Sequence, residues 1–176
     1  MRIISGTHRG LKIQAPQKLP VRPTTDIAKE ALFNILQHSI DFYEVRLLDL
    51  FSGTGNISYE FASRGCSDIT AIDKHAACVQ FINETAKKHH FAIKAFRADV
   101  FKYLTSEVDS YDVIFADPPY DLPNIPMIVE LVLKHDVLKA DGVLIIEHAS
   151  VQKLAHVQGF VEARVYGSST FSFFKR

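Results

Sequence analysis

Residues 45–65 read "VRLLDLFSGTGNISYEFASRG". The apolar run from Val45 to Phe51 has the length and composition of a buried strand, and the stretch after Gly55 has helical spacing. Between them Gly53 and Gly55 let the chain turn sharply and bring backbone amides close to a ligand at the helix start. Strand, glycine turn and helix in that order open a βαβ unit. The expected fold is therefore α/β, a mostly parallel sheet with helices on both faces.

The rhythm continues downstream. Strands are expected at "SDITAID" (67–73), "AIKAFRA" (92–98), "YDVIFA" (111–116) and "GVLIIEH" (142–148). Between them come a helix over "HAACVQFINETAKK", a short one after Asp99 and another around Ile125 to Lys134, with a short helical segment near "SVQKLAH" (150–156). "FVEARVYG" and "STFSFFKR" are joined too closely at Gly167 for a parallel crossover, so they form an antiparallel feature at the sheet edge. Upstream, Arg2 to Ile13 alternates enough for a small hairpin turning at Gly6 or Gly10, an appendage to the body. Thr24 or Thr25 caps a following helix, Asp26 favours its positive end, and Ile27, Ala28, Ala31, Leu32, Ile35 and Leu36 recur on one face. This divides the chain into an extension, 1–44, and a core, 45–176. It places Arg22, Thr24 and Thr25 near whatever the core holds.

At 176 residues, 47% hydrophobic and with no formal net charge, the chain is large enough for a core and is not a disordered segment. Charge is unevenly placed. The first 29 residues carry Arg2, Arg9, Lys12, Lys18, Arg22 and Lys29 against the single acid Asp26, so the remainder is acidic by the same margin. A basic end suits docking to a polyanion, and a solvated hairpin is the alternative. Cys66 and Cys78 match neither a metal knuckle nor a disulfide framework, and the eight histidines form no ligand pattern, so no metal site is expected. No signal-peptide segment and no membrane-spanning run is visible, which predicts a soluble cytoplasmic protein.

The chemistry gathers where strands end. The glycine loop departs from the dinucleotide fingerprint: Ser58 replaces the third glycine and Asp49 crowds the pyrophosphate position. Those departures argue against NAD, and no phosphate loop is present. They suit a cofactor with a cationic or neutral centre, a purely structural tight turn being the alternative. Asp73, twenty residues after Gly53, can accept ribose hydroxyls, and Asp99 can accept from an adenine amine, although either acid alone could be a helix cap. "DPPY" (117–120) ends a strand with groups complementary to a nucleobase. Asp117 and the carbonyl of Pro118 can accept from an exocyclic amine, Pro119 helps fix that carbonyl, and Tyr120 can stack on the ring. An aromatic amine is a poor nucleophile, so acceptors that favour its pyramidal form help as the new bond develops.

"DLFSGTG", "AID", "RAD" and "DPPY" resemble the S-adenosylmethionine-dependent methyltransferases that act on exocyclic amines. With "MRIISGTHRG", "RPTTDIAKEALFNIL" and "FADPPY", nearly the whole chain resembles the bacterial 16S ribosomal RNA guanine-N2 methyltransferase family acting at guanine 966. The resemblance implies a seven-stranded class I methyltransferase fold, Rossmann-like, with S-adenosyl-L-methionine as cofactor. It implies that Asp49, Ser52, Gly53 and Gly55 surround the methionine part, Asp73 the ribose, and Asp99 with Val100 the adenine. Asp117, Pro118, Pro119 and Tyr120 would hold the target base, with Arg22, Thr24 and Thr25 closing the pocket or orienting RNA. Arg2, Arg9 and Lys12 would contact phosphates of the RNA, in an assembled or partly assembled small subunit. The loop reads "FSGTG" where many members read "FAGSG", and "DLPNIP" follows Tyr120 in place of a basic loop. Two further readings stand beside this one: a DNA adenine-N6 or other RNA amino-methyltransferase, and a non-enzymatic RNA-binding module.

Overall fold

The computed structural model describes residues 1–16, 19, 26–106 and 109–176, so Arg22, Thr24 and Thr25 lie outside the described residues. After helix α1 (Asp26–Leu36) the chain alternates β1 (Arg46–Leu50), α2 (Asn56–Ser63), β2 (Asp68–Asp73), α3 (Ala76–His89), β3 (Ile93–Arg97), α4 (Val100–Leu104), β4 (Tyr111–Ala116) and α5 (Pro126–Lys134). It then closes with β5 (Leu138–Ala149), β6 (Phe160–Tyr166) and β7 (Ser169–Phe174). The seven strands form one sheet in the order β3-β2-β1-β4-β5-β7-β6. β1 pairs in parallel with both β2 and β4, so the chain reverses its direction of growth beside β1. Open α/β sheets bind ligands at such a switch point, outside the carboxyl ends of the strands.

The strand that runs against the others is β7, inserted between β5 and β6, so β6 forms the outer edge. Each face of the sheet carries its own core. One contains Leu47, Ile69, Val113 and Ile145 beneath α1, α2 and α3; the other contains Leu48, Ile114, Leu144 and Phe174 beneath α4 and α5. Adjacent residues of β1, β4 and β5 are thus buried on opposite sides, which is why these strands read as continuous apolar runs.

Three local expectations change. The "SVQKLAH" segment is not a helix: its amides bond in isolated turns, Gln152 to Ala149 and Val157 to Leu154, Val151 is 88% exposed, and only Leu154 and Val157 reach the core. On α1 the buried face is Ala28, Lys29, Leu32, Phe33 and Leu36, while Ile27 points out at 79% exposure. Lys29 is therefore not part of a basic surface. It is fully buried, ion-paired to Glu60 of α2 at 3.5 Å, and donates to the Arg2 carbonyl at 2.6 Å and to Asn56 Oδ1 at 2.8 Å.

The amino-terminal segment is welded to α2 by the same network. Glu60 accepts from the amides of Ile4 (2.8 Å) and Ser5 (3.0 Å) and from Arg64 Nε (2.9 Å), so every charge in the joint has partners. Residues 1–13 form a loop closed by one antiparallel bridge, Arg2 to Lys12, with Ile3 and Ile13 buried in the core. Gly6 lies so close to α2 that a Cβ there would stand 1.8 Å from the Ser63 carbonyl oxygen. No helix among the described residues is long and apolar enough to cross a membrane.

Candidate active site

A cavity of about 930 Å³ opens at the carboxyl ends of β1, β2, β4 and β5. Its floor is the β1–α2 turn. Phe51, Gly53 and Gly55 all take left-handed backbone angles, with φ of 57°, 53° and 79°. For a phenylalanine this conformation is strained, and it is held from outside the turn. Ser52 donates through its amide and hydroxyl to the Ile72 carbonyl, and the Gly53 amide donates to Asp73 Oδ2 at 2.9 Å. Asp73 also accepts the His75 amide at 2.8 Å, so one carboxylate joins the glycine turn to the start of α3.

Asp49, the last-but-one residue of β1, faces the cavity while only 2% exposed. Ser58 donates to its Oδ2 at 2.6 Å. Burial outweighs that hydrogen bond and pushes the carboxyl up from 3.8 to about 7, with the neighbouring Asp73 adding to the rise. The site thus holds an acid that a cationic group would convert to its carboxylate. Gly55 is not among the lining residues: it begins α2, and a Cβ on it would meet Ile82 and Tyr59 at 3.0 Å. Its glycine is required by the turn and by the packing beneath.

At the outer end Asp99, Val100 and Phe101 line the wall. Asp99 caps α4, accepting from the Lys102 amide at 3.1 Å, so the cap reading of this residue is realised even as it lines the cavity. Lys74 is the only lysine or arginine among the described residues that line the cavity.

The "DPPY" segment forms the opposite wall. The Asp117 amide donates to the Leu50 carbonyl at 3.3 Å, which draws the end of β4 against the end of β1. Asp117, Pro118, Pro119 and Tyr120 all line the cavity, with Pro118 buried and Tyr120 37% exposed. Tyr120 Oη is 2.8 Å from Ser169 Oγ, which ties the aromatic ring to the β6–β7 hairpin. That hairpin, Tyr166 to Ser169, and Glu147 of β5 complete the wall. Sequence reasoning missed both. The hairpin reads as an edge connection, and Glu147 sits inside an apolar run; its one signal is an acid near the carboxyl end of a buried strand.

Of the residues expected to serve RNA, Arg2, Arg9 and Lys12 are exposed on the amino-terminal loop, and none lines the cavity. Arg2 and Lys12 face each other across the bridge. Cys66 and Cys78 are buried free thiols, both pushed up to about 11 by burial. Among the described residues no group of His, Cys, Asp and Glu is arranged to hold a metal ion.

Comparison with known proteins places this geometry. The Bacillus subtilis protein YlbH, provisionally named an rRNA methyltransferase, is 28% identical over 100% of this chain and 99% of its own length. The ribosomal RNA small subunit methyltransferase D of Buchnera aphidicola is 29% identical over 84% of this chain and 75% of its own. Among solved structures, the Thermus thermophilus 16S rRNA N2 G1207 methyltransferase RsmC, in complex with AdoMet and guanosine, superposes with a TM-score of 0.73. That match covers 90% of this chain and 45% of the other at 18% identity, and it shows a shared class I methyltransferase fold. The family described as "Conserved hypothetical protein 95" matches residues 1–175, and this chain belongs to it.

Proposed function

We propose that the protein transfers a methyl group from S-adenosylmethionine to the exocyclic N2 amine of a guanine in 16S ribosomal RNA, at guanine 966 by resemblance of motifs. The observation that carries this reading is one cavity shared by Asp49, Gly53 and Asp73 on one side and Asp117, Pro118 and Tyr120 on the other. Transfer between two bound molecules needs both in one volume at fixed orientation. The name of the Buchnera relative and the guanosine in the Thermus structure support the same substrate class.

The donor set fits the cofactor. Carboxylates line the cavity, and Lys74 is its single described lysine or arginine, which suits a cationic, phosphate-free ligand and disfavours a pyrophosphate. S-adenosylmethionine supplies an electrophilic methyl group. Asp49 would hold the ammonium of the methionine part beside Ser52 and Gly53, Asp73 the ribose hydroxyls, and Asp99 with Val100 the adenine. Asp117 and the Pro118 carbonyl would accept the hydrogens of the guanine amine and aim its lone pair, and Asp117 or water would take the surplus proton. Tyr120, held by Ser169, would support the face of a base drawn out of its stack. The exposed Arg2, Arg9 and Lys12 would contact RNA phosphates outside the cavity, with the strong salt dependence that such contacts bring.

The test supplies labelled S-adenosylmethionine with unmodified 16S RNA, naked and in assembled small subunits, the RNA being in excess over protein. The expected product is N2-methylguanosine at one position with many turnovers. N6-methyladenosine, or RNA binding without turnover, overturns the reading.

A further inference from the structure

Lys87, Lys88 and His89 end α3, His90 follows as its cap, and the chemistry described above gives none of them a part. Lys87, Lys88 and His90 are exposed. Two lysines in a last turn ordinarily answer the helix dipole. Here a second basic segment lies against them. The His8 ring stands 4.5 Å from Phe91, just beyond α3, and His89 lies 5.9 Å from the same ring, which brings the tip of the amino-terminal loop, with Arg9, beside the end of α3. The two elements share one field: partial burial, and then Lys88, His8 and His90, hold the His89 imidazole below its ordinary value. Among the described residues no acid lies within ion-pair distance of Arg2, Arg9, Lys12, Lys87 or Lys88. Glu84, one turn back on α3, accepts instead from Gln80 at 2.8 Å.

The loop connects this end to the active cavity. The hydroxyl of Thr54, a lining residue, meets Met1 Sδ at 3.8 Å, and the Arg2 carbonyl meets Lys29 beside Asn56, the first residue of α2. Glu60 then holds Ile4 and Ser5, and Ser63, the last residue of α2, holds Thr7 and His8. The loop thus runs the length of α2, about 12 Å for its eight residues. Arg2, with Lys12 across the bridge, sits toward the cavity end, and Arg9 sits at the far end, where Lys87 and Lys88 follow. Like charges gathered without acids repel one another, and a polyanion whose charges repeat along a chain offsets this at every point, where a small anion would offset it at one. Resting on the proposed reading of RNA as substrate, we propose that the amino-terminal loop and the carboxyl end of α3 form one continuous track for RNA phosphates, leading from the cavity rim to Lys87 and Lys88. A strand that delivers its base to the cavity is then gripped a second time at the far end of α2.

Fluorescently labelled protein titrated with small subunits that lack the methyl mark reports binding across a salt series. Replacing Lys87 and Lys88 together with alanine removes two phosphate contacts and should flatten the slope of log affinity against log salt by about 1.4–1.8. At about 0.15 M salt the same loss should weaken binding roughly 10- to 30-fold, while kcat at saturating RNA and S-adenosylmethionine affinity stay within about twofold of wild type. Lys87→Arg with Lys88→Arg keeps both charges and should bind as wild type does, which separates a phosphate contact from damage to the end of α3. Lys134→Ala with Lys175→Ala removes the same charge, Lys134 from the last turn of α5 on the opposite face, and should weaken binding less than about threefold. An unchanged slope in the Lys87→Ala, Lys88→Ala protein, or an equal loss in the Lys134→Ala, Lys175→Ala protein, overturns the track. Normal methylation with an unchanged KM in the former variant overturns the track and leaves the proposed function standing. Binding that shows the expected change of slope, without methyl transfer by wild-type protein, overturns the proposed function and leaves the track.

Discussion

Asp49 and Glu60 are both buried, on β1 and on the helix that follows it, and their surroundings differ in kind. Glu60 has ionic partners in Lys29 and Arg64 and accepts two backbone amides from the amino-terminal segment. Asp49 has Ser58 as its donor and an open cavity in front. Glu60 is satisfied from within and acts as a joint. Among the described residues Asp49 has neutral donors and its carboxyl rises to about 7, so it suits a cationic partner that those residues do not supply. Exposure alone, at 0% and 2%, would have put the two acids in one class.

Removing the joint should have the largest effect on the fold. Glu60→Ala leaves Lys29 buried without its carboxylate and should cost about 3–5 kcal/mol in denaturant unfolding. The protein that remains folded should bind S-adenosylmethionine normally, and an intact stability would show that the network does not weld the amino-terminal segment to α2.

Asp49→Asn should do the reverse. Losing a charge-assisted contact of about 1.5–3 kcal/mol weakens S-adenosylmethionine binding by roughly 10- to 100-fold. The free variant should be at least as stable as wild type at pH 8. The sign follows from the raised pKa: the folded protein holds a proton that the unfolded chain releases near 3.8, so this stabilisation is full below that value and is lost as pH rises through about 7. Asparagine never ionises and escapes the loss. A variant less stable than wild type at pH 8 would contradict the desolvated carboxyl.

The same group sets a pH dependence. Below pH 7 the wild-type affinity for the cofactor should fall by about tenfold per unit as Asp49 stays protonated, and above 7 it should level off. Asp49→Asn should remove this step, so a step at the same pH in the variant points to another residue. The smallest effect belongs to the exposed loop. Replacing Arg2, Arg9 and Lys12 with alanine should weaken RNA binding uniformly and reduce the salt slope by roughly one per lost phosphate contact. An unchanged slope removes the loop from the RNA interface.

What could be read from sequence divides along the same line. "DLFSGTG" and "DPPY" announce themselves because a glycine turn and a double proline act over a few residues, and the strand runs between them gave the sheet. Lys29 and Glu60 look like the solvated charges of two amphipathic helices, because the segment that buries them is more than twenty residues away and contributes through backbone amides. Spacing turns Ile27 inward, yet in the helix Phe33 and Lys29 face the core and Ile27 does not. Val151, Leu154 and Val157 have helical spacing but connect two strands of one sheet, and only two of them find a surface to pack on. Glu147 is hard to read because an acid near the end of an apolar strand looks the same whether it faces a cavity or solvent.

On the proposed function, the cavity walled by "DPPY" methylates a guanine of the small-subunit RNA, with Asp117 engaging the reacting amine. Cells lacking the protein, complemented with wild type or with Asp117→Ala, provide the direct measurement: mass analysis of N2-methylguanosine in 16S RNA, with S-adenosylmethionine affinity of both purified proteins alongside. One modified guanine should be lost in the absence of the protein, restored by wild type and not by Asp117→Ala, although the variant should bind the cofactor within about threefold of wild type. Full modification restored by Asp117→Ala, or an RNA unchanged by loss of the protein, would contradict it.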